Sequence, residues 1–260
     1  MARGVHRRAR VQFSANTLVA SPPPEPLWDL GAFQLSAESR FASGRIGGDF
    51  YAFEQRDAKH LAIVIGDACG RGSEGARLLS GVLPGLEELA RCTNRPSRLL
   101  KELNRRIIGG MPSDRFVTGA AFEFDAEAGT LTVANAGHVP AILRSASGKV
   151  NVIGRASGPP LGVFSDASYT DQRYRIRKDD VVVFMTDGIL ELVETDLAEM
   201  LTLLALVAEA PAGSRGVHRF LLANVDGRVE ERTADDMTLL SLEVLLGPAR
   251  TSRLSLISSR

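Results

Sequence analysis

The stretch His60-Leu61-Ala62-Ile63-Val64-Ile65-Gly66 is apolar almost without interruption and ends on Asp67. A run of this kind, with no alternation of polar and apolar positions, reads as a strand buried on both faces. Any fold that contains it must cover it from two sides. The segments around it say how. Residues 32–41 alternate, with Phe33, Leu35 and Ala37 set against Gln34, Ser36 and Glu38, the pattern of a half-buried strand. Gly47-Gly48 leads into an aromatic-rich strand over residues 49–53. After the apolar run, residues 74–91 place Ala76, Leu79, Leu83, Leu86 and Ala90 on one helical stripe, with a kink expected at Pro84. A second helix, residues 97–108, follows Pro96 and carries Leu99, Leu100, Leu103 and Ile107 at helical spacing.

Strands are then expected at residues 116–124, 130–134, 139–144, 150–153, 169–176 and 181–185, helices at 197–209 and 216–225, and a closing strand at 237–245. Helices and strands do not alternate regularly, which argues against a doubly wound parallel sheet. Two antiparallel sheets with helices packed outside fit the order better. No disulfide framework supports the fold, because Cys69 and Cys92 are the only cysteines, and a reducing, cytoplasmic setting is expected. No apolar stretch approaches the roughly 18 residues that a membrane span needs. Residues 1–26, ending in Ser21-Pro22-Pro23-Pro24-Glu25-Pro26, are expected to form a disordered leader. Residues 27–246 then form one domain, and 247–260 a flexible tail.

Lys plus Arg and Asp plus Glu both total 31, so the chain is neutral, unlike a strongly basic nucleic-acid binder. The balance is uneven along the chain. The first ten residues hold four arginines and no acid, the last fourteen hold three and no acid, and the body between them is acidic. Aspartates recur there at comparable places: Asp49 at a strand start, Asp67 at the end of the apolar run, Asp187 after the apolar Val181–Met185, and Asp235-Asp236 before the closing strand. Each one alone is read most simply as a turn-capping residue. Together they suggest carboxylates converging at strand ends, which repel one another unless cations neutralise them. Hard divalent cations take such oxygen ligands.

The runs Gly47-Gly48-Asp49-Phe50-Tyr51, Ile65-Gly66-Asp67-Ala68-Cys69-Gly70-Arg71-Gly72, Asn135-Ala136-Gly137-His138-Val139-Pro140, Thr186-Asp187-Gly188-Ile189-Leu190-Glu191 and Asp235-Asp236-Met237-Thr238 occur in this order. In these runs, over about residues 32–244, the chain resembles the PPM-type metal-dependent protein serine/threonine phosphatases, in the bacterial SpoIIE/RsbU-like branch. The resemblance implies an α+β fold, a four-layer αββα sandwich of two antiparallel sheets flanked by helices. It implies two Mn²⁺ or Mg²⁺ ions, with Asp67 bridging them, the Ala68 carbonyl on one, Asp187 and Asp235 on the other, and Asp49 holding a metal or its water. It implies hydrolysis of phosphoserine or phosphothreonine by a water activated by both ions, without a phosphoenzyme. The implied substrate is a phosphorylated regulatory protein, such as a STAS-type anti-sigma-factor antagonist in a partner-switching pathway, with no nucleic acid and no membrane involved.

The chain departs from the family pattern in places. Ala52 stands where the branch usually has a further Asp. Cys69 stands where eukaryotic relatives carry a His proposed as proton donor. The segment between Glu191 and Asp235 is short for the branch. These departures leave open a catalytically degenerate binding or regulatory module of the same fold. A phospho-accepting aspartyl domain is disfavoured by the missing β-α alternation, and a P-loop enzyme by the missing Gly-x4-Gly-Lys-Ser/Thr. Among further candidates, Arg45 and Arg71 are placed to contact a substrate phosphate, although an exposed arginine is more often simply solvated. His138 in its Asn-x-Gly-His turn is expected to be held by backbone hydrogen bonds rather than to act as a general acid. Cys69 is expected to be inert.

Overall fold

The computed structural model describes residues 12–13, 27–40, 47–70, 73–112, 114–193, 199–232 and 235–247. Twelve strands among them form two six-stranded sheets. The first sheet has the order β1 (Gln12–Phe13), β4 (Asp49–Gln55), β5 (His60–Ala68), β6 (Val117–Asp125), β7 (Thr130–Ala136), β10 (Gln172–Arg175). The second has the order β2 (Leu27–Asp29), β3 (Phe33–Arg40), β12 (Met237–Val244), β11 (Val181–Met185), β8 (Ala141–Arg144), β9 (Val150–Ile153). Every ladder between these strands is antiparallel. Helices α1 (Ser73–Cys92) and α2 (Pro96–Ile107) cover the first sheet; α3 (Asp187–Val193), α4 (Glu199–Glu209) and α5 (Ser214–Arg232) cover the second. The result is the four-layer αββα sandwich.

The layering follows from side-chain alternation. In β5, Leu61, Ile63 and Ile65 point into the core between the sheets, while Val64 and Ala68 face α1 and α2. In β11, Val182 and Phe184 face the same inter-sheet core, and Val181, Val183 and Met185 face α3, α4 and α5. β11 is therefore apolar at every position, and β5 from Leu61 to Gly66, because neither face sees water there. Phe122 of β6 meets Phe184 of β11 edge-on across the sheets, with centroids 4.7 Å apart, a favoured aromatic geometry. On α2 the expected stripe Leu99, Leu100, Leu103 and Ile107 is buried.

Several expectations need correcting. The buried face of α1 runs through Leu79, Val82 and Leu86, with Leu83 only half-buried; Pro84 lies within the helix, and the side chains of Ala76 and Ala90 lie outside those described. Residues 169–171 precede β10 rather than belong to it, because Tyr169 is drawn into the cluster under α2. Helix α5 starts earlier and ends later than residues 216–225. Within the span expected to be a disordered leader, Gln12–Phe13 pair with Phe53 and Ala52 on the outer edge of β4, where unpaired backbone groups accept an extended segment. The rest of residues 1–26, residues 248–260, Arg45 and Arg71 lie outside the described residues. Among the described residues, no helix is long and apolar enough to cross a membrane.

Candidate active site

The aspartates singled out from the sequence all fall at one end of the sandwich. Strand β4 begins at Asp49 and β5 ends just past Asp67, so the antiparallel register sets the two residues directly opposite each other. In the second sheet, β11 ends at Met185, α3 begins at Asp187, and Asp235-Asp236 immediately precede β12. The β11–β12 register, Met185 against Leu239, brings those two ends together.

Hydrogen bonds stitch the sheets here. Thr186 Oγ1 donates to Asp49 Oδ2 at 2.7 Å and accepts the Thr238 N–H at 2.9 Å. Ser39 and Thr238 hydroxyls meet at 2.9 Å. The Gly48 N–H donates to Asp236 Oδ2 at 2.8 Å, and the Asp236 N–H donates to Asp235 Oδ1 at 2.9 Å. Sequence reasoning did not assign roles to Asp236, Thr186 or Thr238, although all three lie inside the motif runs that drew attention to Asp187 and Asp235. A hydroxyl beside a motif aspartate was the available signal.

Among the described residues, the acids at this end raise one another's pKa. Asp49 is 2% exposed. Burial pushes its carboxyl well above the usual carboxylate range, and the charge of Asp67 adds to this, against hydrogen bonds from Thr186 and Thr238. Asp67 is pushed up to about 7, first by burial and then by Asp187, Asp235 and Asp236. Asp187 is raised by burial and by Asp235. Desolvation and like charges both disfavour ionised carboxylates. A divalent cation reverses that penalty.

The donor set fits such an ion in kind. Carboxylates and a backbone carbonyl are hard oxygen ligands. A side chain at Gly48 would collide with the Ala68 carbonyl oxygen and stand 2.7 Å from Asp67 Oδ1, so glycine keeps both atoms uncovered. Among the described residues, no three Asp, Glu, His or Cys side chains already converge as a closed metal cage.

His138 is 6% exposed. Its N–H donates to Asn135 Oδ1 at 2.7 Å, Asn135 Nδ2 donates back to its carbonyl at 2.9 Å, and its Nδ1 lies 2.9 Å from Thr118 Oγ1. Burial pushes its pKa down to about 4, with the Met185 backbone opposing. A neutral, clamped ring is the structural role expected of it. Cys69 Sγ accepts the Phe116 N–H at 3.1 Å.

The family model described as "Stage II sporulation protein E (SpoIIE)" matches residues 57–245, a span that includes Asp67, Asp187 and Asp235 and leaves out Asp49. Phosphoserine phosphatase RsbU of Bacillus subtilis is 27% identical over 252 residues, which cover 92% of this chain and 72% of RsbU. The solved PP2C phosphatase domain, with a fragment of the regulatory domain, of SpoIIE from Bacillus subtilis superposes with a TM-score of 0.72 at 16% identity, covering 85% of this chain and 65% of that one. A structure of RsbX in complex with magnesium superposes with a TM-score of 0.65 at 18% identity, covering 85% of this chain and all of that one.

Proposed function

The chain belongs to the stage II sporulation protein E (SpoIIE) family, and from that premise we propose that it is a metal-dependent phosphatase that removes phosphate from phosphoserine or phosphothreonine in a regulatory protein. The observation that carries this reading is the placement of Asp49 and Asp67 opposite each other at the end of one sheet, with Asp187 and Asp235-Asp236 at the facing ends of β11 and β12 in the other. A fold that brings acids to one end, at a cost in desolvation, is accounted for by cations that the acids would hold.

On this reading Asp49, Asp67, the Ala68 carbonyl, Asp187 and Asp235 would hold two Mn²⁺ or Mg²⁺ ions. When bound, such ions polarise phosphoryl oxygens and make water acidic enough to ionise near neutral pH. The chain's own groups do the rest. Thr186 and Thr238 fix the Asp49 carboxylate beneath Asp67. Asp236 holds the Gly48 backbone, whose carbonyl in turn accepts the Ala68 N–H at 3.0 Å, and so orients the Ala68 peptide. His138, neutral and enclosed, donates no proton near pH 7, and Cys69 occupies the place where a donor stands in eukaryotic relatives.

The relative named phosphoserine phosphatase RsbU supports a phosphoserine protein as substrate. A STAS-type anti-sigma-factor antagonist, met in the cytoplasm, is the class we favour. The test is hydrolysis of p-nitrophenyl phosphate with Mn²⁺, with Mg²⁺ and with EDTA, beside Asp67→Ala. Metal-dependent turnover that disappears in the variant is expected. Turnover that survives EDTA or the substitution would overturn the reading, and metal binding with no turnover by either protein would favour a degenerate binding module.

A further inference from the structure

Six large apolar side chains stand out as exposed among the described residues, and three of them, Phe116 (40%), Val163 (43%) and Phe164 (56%), sit on two neighbouring segments at the carboxylate end of the first sheet. Scattered exposed apolar residues are ordinary, but a cluster beside a cleft marks a contact surface. The β5–β6 ladder pairs Asp67 with Thr118 and Ala68 with Val117. It then continues through the Cys69 N–H donating to the Phe116 carbonyl at 3.1 Å. Phe116 is thus two positions beyond Asp67, about 7 Å along a strand. Val117 in turn exchanges backbone hydrogen bonds of 3.0 and 2.8 Å with Leu161, which brings the segment carrying Val163 and Phe164 alongside.

This rim is held rigidly. Asn104 of α2 is 1% exposed. Its Oδ1 accepts the Gly162 N–H at 2.7 Å and its Nδ2 donates to the Phe164 carbonyl at 2.8 Å. Gly162 has a φ of +89°, and a side chain there would stand 2.9 Å from Met111 Cγ. A buried polar residue spending both ends on one loop fixes that loop's backbone. Val163 and Phe164 are therefore presented to solvent by design of the backbone around them. Beside the rim, Arg115 is ion-paired with Glu74 and lies 3.7 Å from Asp114, so its charge is locally balanced.

We propose that Phe116, Val163 and Phe164 form a docking rim for the phosphoprotein substrate, receiving a large apolar side chain two to four residues from the phosphoserine. This rests on the phosphatase reading above. An extended peptide advances about 3.3 Å per residue, so with its phosphate at the aspartates its neighbouring residues reach the rim.

The experiment compares two synthetic phosphoserine peptides, identical except that one has Leu and the other Asp at the flanking positions, and adds p-nitrophenyl phosphate. The full chain is used with Mn²⁺, as wild type, as Phe164→Ser and as Val163→Ser/Phe164→Ser. Wild type is expected to prefer the Leu peptide in kcat/KM by roughly tenfold, the scale of one well-filled apolar contact, and the variants to bring that ratio close to one. A merely structural loss lowers both peptides together and leaves the ratio at its wild-type value, which overturns the proposal. So does a wild type that hydrolyses both peptides equally well. Turnover of none of the three substrates overturns the phosphatase reading along with the rim. A dimer in ultracentrifugation that Phe164→Ser disperses, with the peptide ratio unmoved, assigns the rim to a second copy of the chain and overturns the proposal too.

Discussion

The β4–β5 hairpin carries a cluster of ionisable side chains at each end, and the two clusters follow opposite rules. At the turn end, acids stand beside bases. His60 Nδ1 lies 2.8 Å from Asp57 and its Nε2 3.6 Å from Asp125. Lys59 reaches Glu127 at 2.9 Å, and Arg56 reaches Glu123 at 3.1 Å. At the open end, Asp49 faces Asp67, and the charges acting on Asp67 are those of Asp187, Asp235 and Asp236, all of its own sign. The same two strands support both ends, so backbone structure does not separate them. The difference is that, among the described residues, the acids of the turn end stand beside bases, whereas those acting on Asp67 are acids, the arrangement that the proposed cations would neutralise. Excess like charge in a buried place is the mark of a site rather than of a structural ion-pair cluster.

The largest effect should come from removing the bridging carboxylate. Asp67→Asn is expected to lower Mn²⁺-dependent p-nitrophenyl phosphate turnover by about a thousandfold or more, the several kcal/mol that a metal contributes to transition-state charge. A variant that keeps a tenth of wild-type activity would erase the contrast between the two ends.

Next comes the coupling of stability to metal and pH. The folded pKa of Asp67, about 7, lies above its ordinary 3.8. Its contribution to stability is therefore complete below about pH 4 and lost as pH rises through about 7. Glu123 at the turn end, also pushed up to about 7 by burial against the pull of Arg56, adds a slope of the same sign. Differential scanning calorimetry with EDTA should show Tm falling from pH 5 to pH 8, less steeply in Asp67→Asn. Mn²⁺ at a hundred times its Kd should add about 2.7 kcal/mol to wild type alone. Equal slopes in both proteins would move the titrating group away from Asp67.

A smaller loss is expected in Thr186→Val, which deletes one donor to the buried Asp49 carboxylate and one acceptor for Thr238. About 2 kcal/mol by urea denaturation is the scale for such groups. The smallest effect is at the turn end. The folded pKa of His60 is raised from 6.5, first by the Asp57 hydrogen bond, so its stabilisation is present below pH 6.5 and fades above its folded pKa. His60→Gln should cost under 1 kcal/mol at pH 6, as befits a part-exposed pair, and less still at pH 9. A larger cost at pH 9 than at pH 6 would reverse the assigned sign.

Much of this was legible in the sequence because period and position carry it. The apolar run at β5, the stripe on α2 and the order of the Asp-bearing turns each report a local constraint that the fold then satisfies. What was illegible came from partners distant in the chain. Val82 rather than Leu83 is buried because of how α1 lies on the sheet, which its own periodicity leaves open. Asp187-Gly188 reads as a turn, yet it opens α3, where an acid suits the first helical turn. Asp236 looks like a spare neighbour of Asp235 until the Gly48 N–H arrives from 188 residues away. The rim at Val163 and Phe164 has no periodic signature, and only Asn104, 60 residues upstream of Phe164, explains its shape.

Those separations bear on how the chain reaches its working form. The bond from Thr186 to Asp49 spans 137 residues and that from Gly48 to Asp236 spans 188, so both close loops of most of the protein. Contacts of such high order carry the largest chain-closure entropy and form only once much of the rest is in place. A partly unfolded chain can pair Asp49 with Asp67 within their own hairpin, but it brings Asp187 and Asp235 to them only once the two sheets meet. The open end of the sandwich is thus the part of the chain whose assembly waits longest on the rest.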